Sequence, residues 1–519
     1  MVNRILKTCI ALIQTILLLC ICIGWAAADA DYLWPIRVGG LWGYMNSNGE
    51  TAIPADYLAV ELFSDGRAIV HTQDGDGLID TDGRYLITPQ PDLEIEEYDH
   101  AYRIIDKAND AEGFFDKQSC FFQTPNKEYY LVMLWGDDGS GPIAVQNTDG
   151  LTGYISRTNG SIAIPFQYTG ESEHPAFSEG YALAANILIL PEGEDEWHEI
   201  RPDEAISNDE LFEAYDGMGS RQYLIDTNGD RVAFPEGVRP ESGVSNGVLI
   251  VSFMKNDAFE YLNEEEWEEE GSYTFRHLGI ARPDGSIVLD TEDYWYMWQP
   301  DEEGMICVLR DEGWLSFCGH MDREGHVIVP AMYPISTGGE IPGYCFHNGY
   351  AVFPVDREGK EYIIVLRADG TVIAELADER ENWYWDAHDV MDNRRIWVES
   401  WHVASAEVVN NFFQVETDNK TIKLYSVEND EFDIVSERSY DSVKAGIRGI
   451  PCRMDEFSEG LQAVQVNGLW GFIDKDGTEM IPFMWDAAGN FDHGLALVQK
   501  DDNLLYIDHT GAVVWEEEQ

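Results

Sequence analysis

The stretch Gly40-Leu41-Trp42-Gly43-Tyr44-Met45-Asn46-Ser47-Asn48-Gly49, with Ala52-Ile53-Pro54 and Tyr57 behind it, decides the fold. It recurs as Gly468-Leu469-Trp470-Gly471-Phe472-Ile473-Asp474-Lys475-Asp476-Gly477, followed by Met480-Ile481-Pro482. A looser copy reads Gly150-Leu151-Thr152-Gly153-Tyr154-Ile155, then Asn159-Gly160 and Ile164-Pro165. A second element travels with the first: Phe63-Ser64-Asp65-Gly66, Phe177-Ser178-Glu179-Gly180, Phe457-Ser458-Glu459-Gly460 and Phe491-Asp492-His493-Gly494. Gly49 to Gly83, Gly460 to Gly494 and Gly477 to Gly511 are each 34 residues apart. One interval at both ends of a chain is the signature of a tandem array.

Each copy has a local physical reading. Trp42–Met45 and Trp470–Ile473 are short aromatic-rich strands, suited to a pleated surface. Asn48-Gly49 and Asp476-Gly477 tolerate positive φ, so the chain reverses there. Ile53-Pro54 and Ile481-Pro482 are expected to end the returning strand, because proline cannot donate to a ladder. The Phe-Ser-Asp/Glu-Gly element is a second turn that launches a third strand at Ala68–Val70 or Leu495–Val498. One such unit cannot bury its own apolar face, so neighbours must stack on it. Asp226–Gly229, Pro283–Gly285, Asp322–Gly325 and Ala368–Gly370 keep the turn at wider spacing, with insertions at Pro191–Glu213 and Asn256–Gly271. The fold class is therefore all-β, tandem ~34-residue repeats in roughly nine or ten units. The expected arrangement is a propeller-like toroid, with an open β superhelix or solenoid as the alternative. Residues 1–30 read as a signal peptide, 31–235 as N-terminal repeats, 236–450 as degenerate repeats with insertions, and 451–519 as C-terminal repeats.

These motifs resemble the WG-repeat (KWG) family of bacterial proteins, strongly over 40–89, 147–186 and 457–519. The Trp-Gly pair itself stands only at Trp42-Gly43 and Trp470-Gly471, and is Thr152-Gly153 in the third copy. The resemblance implies an all-β repeat architecture, often exported, serving binding or envelope association. It brings no shared catalytic residues.

Arg4 and Lys7 precede an apolar run from Ile10 to Ile23, and Ala26, Ala27, Ala28 and Ala30 offer small-residue cleavage sites. That run is too short for a comfortable bilayer span of ~20 residues. The expected mature protein is secreted or held in the cell envelope, with no membrane span once the signal is removed. Five cysteines then remain: Cys120, Cys307, Cys318, Cys345 and Cys452. If Met305–Arg310 and Trp314–Cys318 pair across a Glu312-Gly313 loop, Cys307 faces Cys318 within bridging distance. Two buried free thiols are the alternative.

Charge excludes one class of partner. Ninety-six acidic residues against 33 basic give a formal net charge of −63. Such a surface repels phosphate backbones, so no nucleic-acid partner is expected, whereas diffuse divalent-cation binding is. No zinc-protease, serine-hydrolase or phosphate-loop motif occurs, so no cofactor, metal site or catalytic residue is assigned. His100, His174, His320 and His402 have no ligand-spaced partners in the sequence. The Asp-Gly turns at 74–77, 80–83 and 226–230 do not complete a calcium loop. Two aromatic runs stand out, Tyr294–Trp298 and Trp383–Trp385. Consecutive aromatics on a strand must show some rings on the outer face. Trp295, Trp298, Trp383 and Trp385 are accordingly the candidate ligand contacts. The expected function is an exported, non-catalytic scaffold binding a protein or cell-surface polymer. A carbohydrate-active enzyme or a lectin-like carbohydrate-binding protein is the alternative.

Overall fold

The computed structural model describes residues 32–517, except 133–135, 171, 173, 191–197, 202–216, 254–276, 302, 313–314, 336–345, 347–348, 358–359, 378–410, 417–421, 429–430, 435–437, 439, 443–444 and 454–456. The signal segment and the Asn256–Gly271 insertion lie outside the described residues, as does the Pro191–Glu213 insertion apart from 198–201. Every regular element among the described residues is a β-strand. Among the described residues the strands form eleven sheets of three or four strands, and no sheet closes on itself. Counting glycine turns gives fewer units because one sheet, spanning Leu93–Asn126, reverses without glycine. Its hairpin from Asp106 to Ala111 turns on Asp110, a non-glycine at φ 51°. Another sheet, spanning Asn411–Ile434, has the turn at 417–421 outside the described residues. The chain divides into two compact units: Met1–Leu93, Trp401–Val427 and Asp433–Gln519 in one, Glu94–Ser400 and Glu428–Phe432 in the other.

The terminal copies correspond strand for strand. Trp34–Val38, Leu41–Met45 and Thr51–Tyr57 make one sheet, and Gln462–Val466, Leu469–Ile473 and Glu479–Trp485 make its counterpart. The third strands share one burial alternation, residue by residue. The proline does not end this strand, which runs on to Tyr57 or Trp485. It sits in a bulge instead. Trp42 faces Tyr57 while Tyr44 faces Ile53, so a two-residue step on the middle strand is matched by a four-residue step on the third. The same offset occurs at Trp470/Phe472, Thr152/Tyr154 and Cys318/His320. Pro54, Pro482, Pro165 and Pro330 all fall within it, where the ladder asks for no donor.

The bulge explains the glycine of the Trp-Gly pair. It presses the third strand's backbone onto the middle strand, leaving no room for a side chain there. A Cβ on Gly43 would stand 2.5 Å from the Ile53 carbonyl oxygen, and one on Gly471 2.8 Å from that of Ile481. The Phe-Ser-Asp/Glu-Gly element, for its part, launches the strand that follows it: Arg67–Thr72 and Leu495–Lys500 within one sheet, Tyr181–Leu190 and Gln462–Val466 at the start of the next. Asp65-Gly66, Glu179-Gly180 and Glu459-Gly460 take paired positive φ, the primed turn that suits a two-residue hairpin. The phenylalanine ahead of each is buried.

Consecutive sheets share their cores. In the second unit Phe114 and Ala101 pack with Ile143 and Val145 of the next sheet. Tyr154 and Ile164 then pack with Ala182 and Ile225. Leu183 and Leu224 meet Leu249 and Val251, Ile250 and Ile280 meet Ile306 and Val308, and Cys307 and Leu309 meet Ile364 and Leu366. Alternate residues of one strand thus serve the sheet before and the sheet after. Within the first unit the same relation joins the chain's ends. Trp34 and Tyr44 share a core with Leu497 and Tyr506 of the last sheet. The Trp34 indole N–H donates to the Asp492 carbonyl at 2.9 Å, and the Tyr506 hydroxyl to the Pro35 carbonyl at 2.9 Å. The Arg37 guanidinium grips the Glu517 carboxylate through both its oxygens.

Replacing Gly471 by alanine forces its Cβ against the Ile481 backbone. The expected cost is about 1–3 kcal/mol in denaturant unfolding, with the same for Gly43→Ala. An unchanged midpoint in both variants would contradict the close-approach account.

Candidate functional site

The aromatic run Tyr294–Trp298 occupies the edge of the sheet built from Tyr296–Met297, Met305–Glu312, Leu315–Asp322 and Val327–Ile335. The edge strand is short, with Tyr296 opposite Leu309 and Met297 opposite Val308. Backbone N–H groups of Trp295 and Trp298 donate to the carbonyls of Leu309 and Cys307, each at 3.0 Å. This ladder fixes where each ring goes. Met297 is buried and Tyr294 packs against the same core, while Trp298 packs half-buried against the core on the other face. Trp295 and Tyr296 are left 45% and 43% exposed. Their ring centroids lie 5.7 Å apart, edge to face, and those of Tyr296 and Trp298 4.4 Å apart. The structure therefore unites Trp295 and Trp298, through Tyr296, in one three-ring surface. Trp383 and Trp385 lie outside the described residues.

Beneath this edge lies a polar cluster in which His320 joins the two cysteines that the sequence spacing had placed together. The hairpin register places Cys307 opposite His320 and Cys318 opposite Leu309. The expected Cys307-to-Cys318 pairing is thus displaced by two residues, because the strands run on to Glu312 and Leu315 before turning. A shift of two preserves the face, so both cysteines and His320 project into one core. The sulfurs stand 3.3 Å apart, and both thiols are free. His320 is fully buried, with the Phe346 ring set perpendicular to its own at 5.1 Å. The hydrogen bond shared with Cys318, reinforced by burial, pushes the Cys307 thiol well above its ordinary range. It is therefore no nucleophile at neutral pH. The legible signal was Cys318-Gly319-His320, since alternate residues of a strand share a face. Cys345 lies outside the described residues.

Two of the three acidic turns are occupied by their own backbone. Asp80 Oδ1 accepts the N–H groups of Asp82 and Arg84 at 3.0 and 2.9 Å, and Asp226 Oδ1 those of Asn228 and Asp230, both at 2.9 Å. Partial burial opposes ionisation of Asp226, but these backbone donors outweigh it and hold its carboxyl below the usual range. The carboxylates act as turn caps. A cavity of about 360 Å³ opens between Gln167, Tyr168, Asn186, Glu199, Arg201 and Arg231. Several of its polar groups are held to one another: Asn186 donates to Glu199 at 3.2 Å, and Arg231 lies 3.6 Å from Glu199. The Arg231 guanidinium also covers the Tyr223 ring at 3.6 Å.

The model of the family described as WG containing repeat matches residues 42–73 and 470–503, so the chain carries two such repeats, one near each end. No curated protein matches the sequence. Among solved structures, the computationally designed Ika8 protein aligns at 11% identity over 75% of this chain and 94% of its own, with a TM-score of 0.26. Dihydro-heme d1 dehydrogenase NirN aligns at 11% identity over 68% and 74%, TM-score 0.27. BamB from Moraxella catarrhalis aligns at 13% over 69% and 97%, TM-score 0.23. Likeness at that level carries no argument about this chain.

One histidine titrates far from its ordinary range. His71 is hydrogen-bonded across the hairpin to Asp76 at 2.7 Å and lies 3.7 Å from Glu61. The bond to Asp76, then that to Glu61, outweighs burial and pushes its pKa up to about 10. A raised folded-state value means that the pair stabilises the fold fully below the unfolded pKa of about 6.5, and loses that effect as pH rises through about 10. The stability gap between the native protein and His71→Gln should therefore be largest below pH ~6.5 and close towards pH ~10. Solvent screening at this half-exposed pair keeps it to about 1 kcal/mol or less. A gap independent of pH in chemical denaturation would contradict this assignment.

Proposed function

We propose that the chain is an exported, non-catalytic repeat scaffold that binds a cell-surface polymer or protein through the three-ring surface of Trp295, Tyr296 and Trp298. The observation that carries this reading is the exposure of Trp295 and Tyr296 on a hydrogen-bonded edge, in mutual ring contact. Rings held this way offer a preorganised apolar platform, which stacks on sugar faces or receives a partner's apolar side chains at little entropic cost. The two WG containing repeats support the scaffold part of the reading, because a stacked array spaces such a platform on rigid sheets. The Arg4/Lys7 and Ile10–Ile23 segment supports export. A net charge of −63 favours neutral or basic partners over anionic ones.

Among the described residues no helix is long and apolar enough to cross a membrane. Retention of the purified protein on neutral cell-wall polysaccharides and on exported proteins is the direct assay. Trp295→Ala should weaken the retained interaction at least tenfold, in the range of about 1.4 kcal/mol or more for an interface aromatic. Unfolding midpoints should move little, because that ring is exposed. Equal retention by the double variant Trp295→Ala/Tyr296→Ala would exclude the platform as the contact.

A further inference from the structure

We propose that Cys307, Cys318 and His320 form a buried site for a single zinc ion. The site is independent of the aromatic surface above it, although both are carried by one sheet. Three observations converge. The donor atoms of the three side chains lie within 4.8 Å of one another. All three residues are buried, at 5%, 0% and 0% exposure. All three come from two adjacent strands in a continuous register from Met305↔Asp322 to Glu312↔Leu315, so the backbone holds them in place before any ion arrives.

The donor set selects the ion. Two sulfurs and an imidazole nitrogen suit a soft or borderline cation, and exclude magnesium and calcium, which take oxygen ligands. Charge then selects a divalent ion, and zinc is the one that takes such sulfur–nitrogen sets tetrahedrally without redox chemistry. Two thiolates and a neutral imidazole around a divalent ion sum to zero, the least costly total for a core lined by Leu309, Val329, Ile364 and Leu366. A monovalent ion there would leave a buried negative charge in a chain already at −63.

Geometry is close to what binding needs. Zinc–sulfur bonds of about 2.3 Å at tetrahedral angles place two sulfurs about 3.8 Å apart. The sulfurs stand at 3.3 Å, so they must part by roughly half an ångström. A disulfide would require them to close by more than an ångström, to about 2.05 Å, from a diagonal rather than directly opposed register. Binding is written as two thiols and one zinc ion giving a bis-thiolate complex and two released protons. Nothing is oxidised or reduced, and affinity therefore rises with pH.

The site has a structural consequence. The Cys307 carbonyl accepts the backbone N–H of Trp298, so an ion tying Cys307 to Cys318 and His320 would stiffen the strand on which the aromatic edge is hung. The test uses the purified full chain, reduced and stripped of metal, titrated with zinc against a chromophoric chelator and with cobalt(II) as a spectroscopic probe. The expected result is one equivalent of zinc, release of two protons, and a thiolate-to-cobalt charge-transfer band. Two thiols should become protected from alkylation. Cys307→Ser, Cys318→Ser and His320→Asn should each weaken binding at least about 100-fold, while Cys120→Ser and Cys452→Ser leave it unchanged. Circular dichroism of each variant separates lost ligands from lost fold, and alkylation protection in the native protein stands without any variant. Absence of stoichiometric zinc binding by the reduced native protein would overturn the proposal, as would binding that survives all three ligand substitutions in folded variants. Loss of polymer retention alone would bear on the aromatic surface and not on this site.

Discussion

A sheet of three or four short strands has two apolar faces and can cover neither by itself. That constraint governs this chain. Met305–Glu312 shows it in one strand: Ile306 and Val308 enter the core shared with the sheet before, while Cys307 and Leu309 enter the core shared with the sheet after. A core strand buried on both faces loses the polar alternation of a solvated sheet, and its apolar run is nearly continuous. Stability then resides in the interfaces between sheets, as expected for a repeat array.

The repeat motif can be understood as the chemistry of that stacking. The bulge around Ile53-Pro54 and Ile481-Pro482 drives backbone onto backbone, so the position opposite must be glycine. The next sheet's turn then fits over the bulged strand. A Cβ on Gly83 would meet the Ile53 side chain at 3.3 Å, and one on Gly511 that of Ile481 at 3.2 Å. The thirty-four-residue interval is the path length from one such contact to the next. Gly49 makes the corresponding contact with Val514, whose carbonyl oxygen would lie 2.8 Å from an added Cβ. The first turn of the array thus leans on its last strand.

Much of this was legible in the sequence. The Gly-Leu-Trp-Gly and Phe-Ser-Glu-Gly elements located strands and turns at both ends, because turn chemistry and strand propensity are local. The bulge was not legible, since a proline within a strand and a proline at its end look alike until the register is known. Register also hid the buried cluster. A hairpin loop displaced by one residue shifted the register by two, moving Cys307 from Cys318 to His320 without altering which side chains share a face. At the surface, the sequence singled out Trp295 and Trp298 for a sound reason: consecutive rings on an alternating strand cannot all be buried. That Tyr296 would complete the group depended on the edge position of a two-residue strand, which only pairing defines.

The central claim is that sheets far apart in sequence stabilise each other through shared cores. Trp34 tests it most directly, being 2% exposed and bonded to a carbonyl 458 residues away. Native-state hydrogen exchange of Trp34→Ala should show protection lost at Leu504–Ile507 in the last sheet, together with the first sheet, by the several kcal/mol of a buried tryptophan truncation, about 3–5. Loss confined to residues 34–57, with the last sheet as protected as in the native protein, would contradict it.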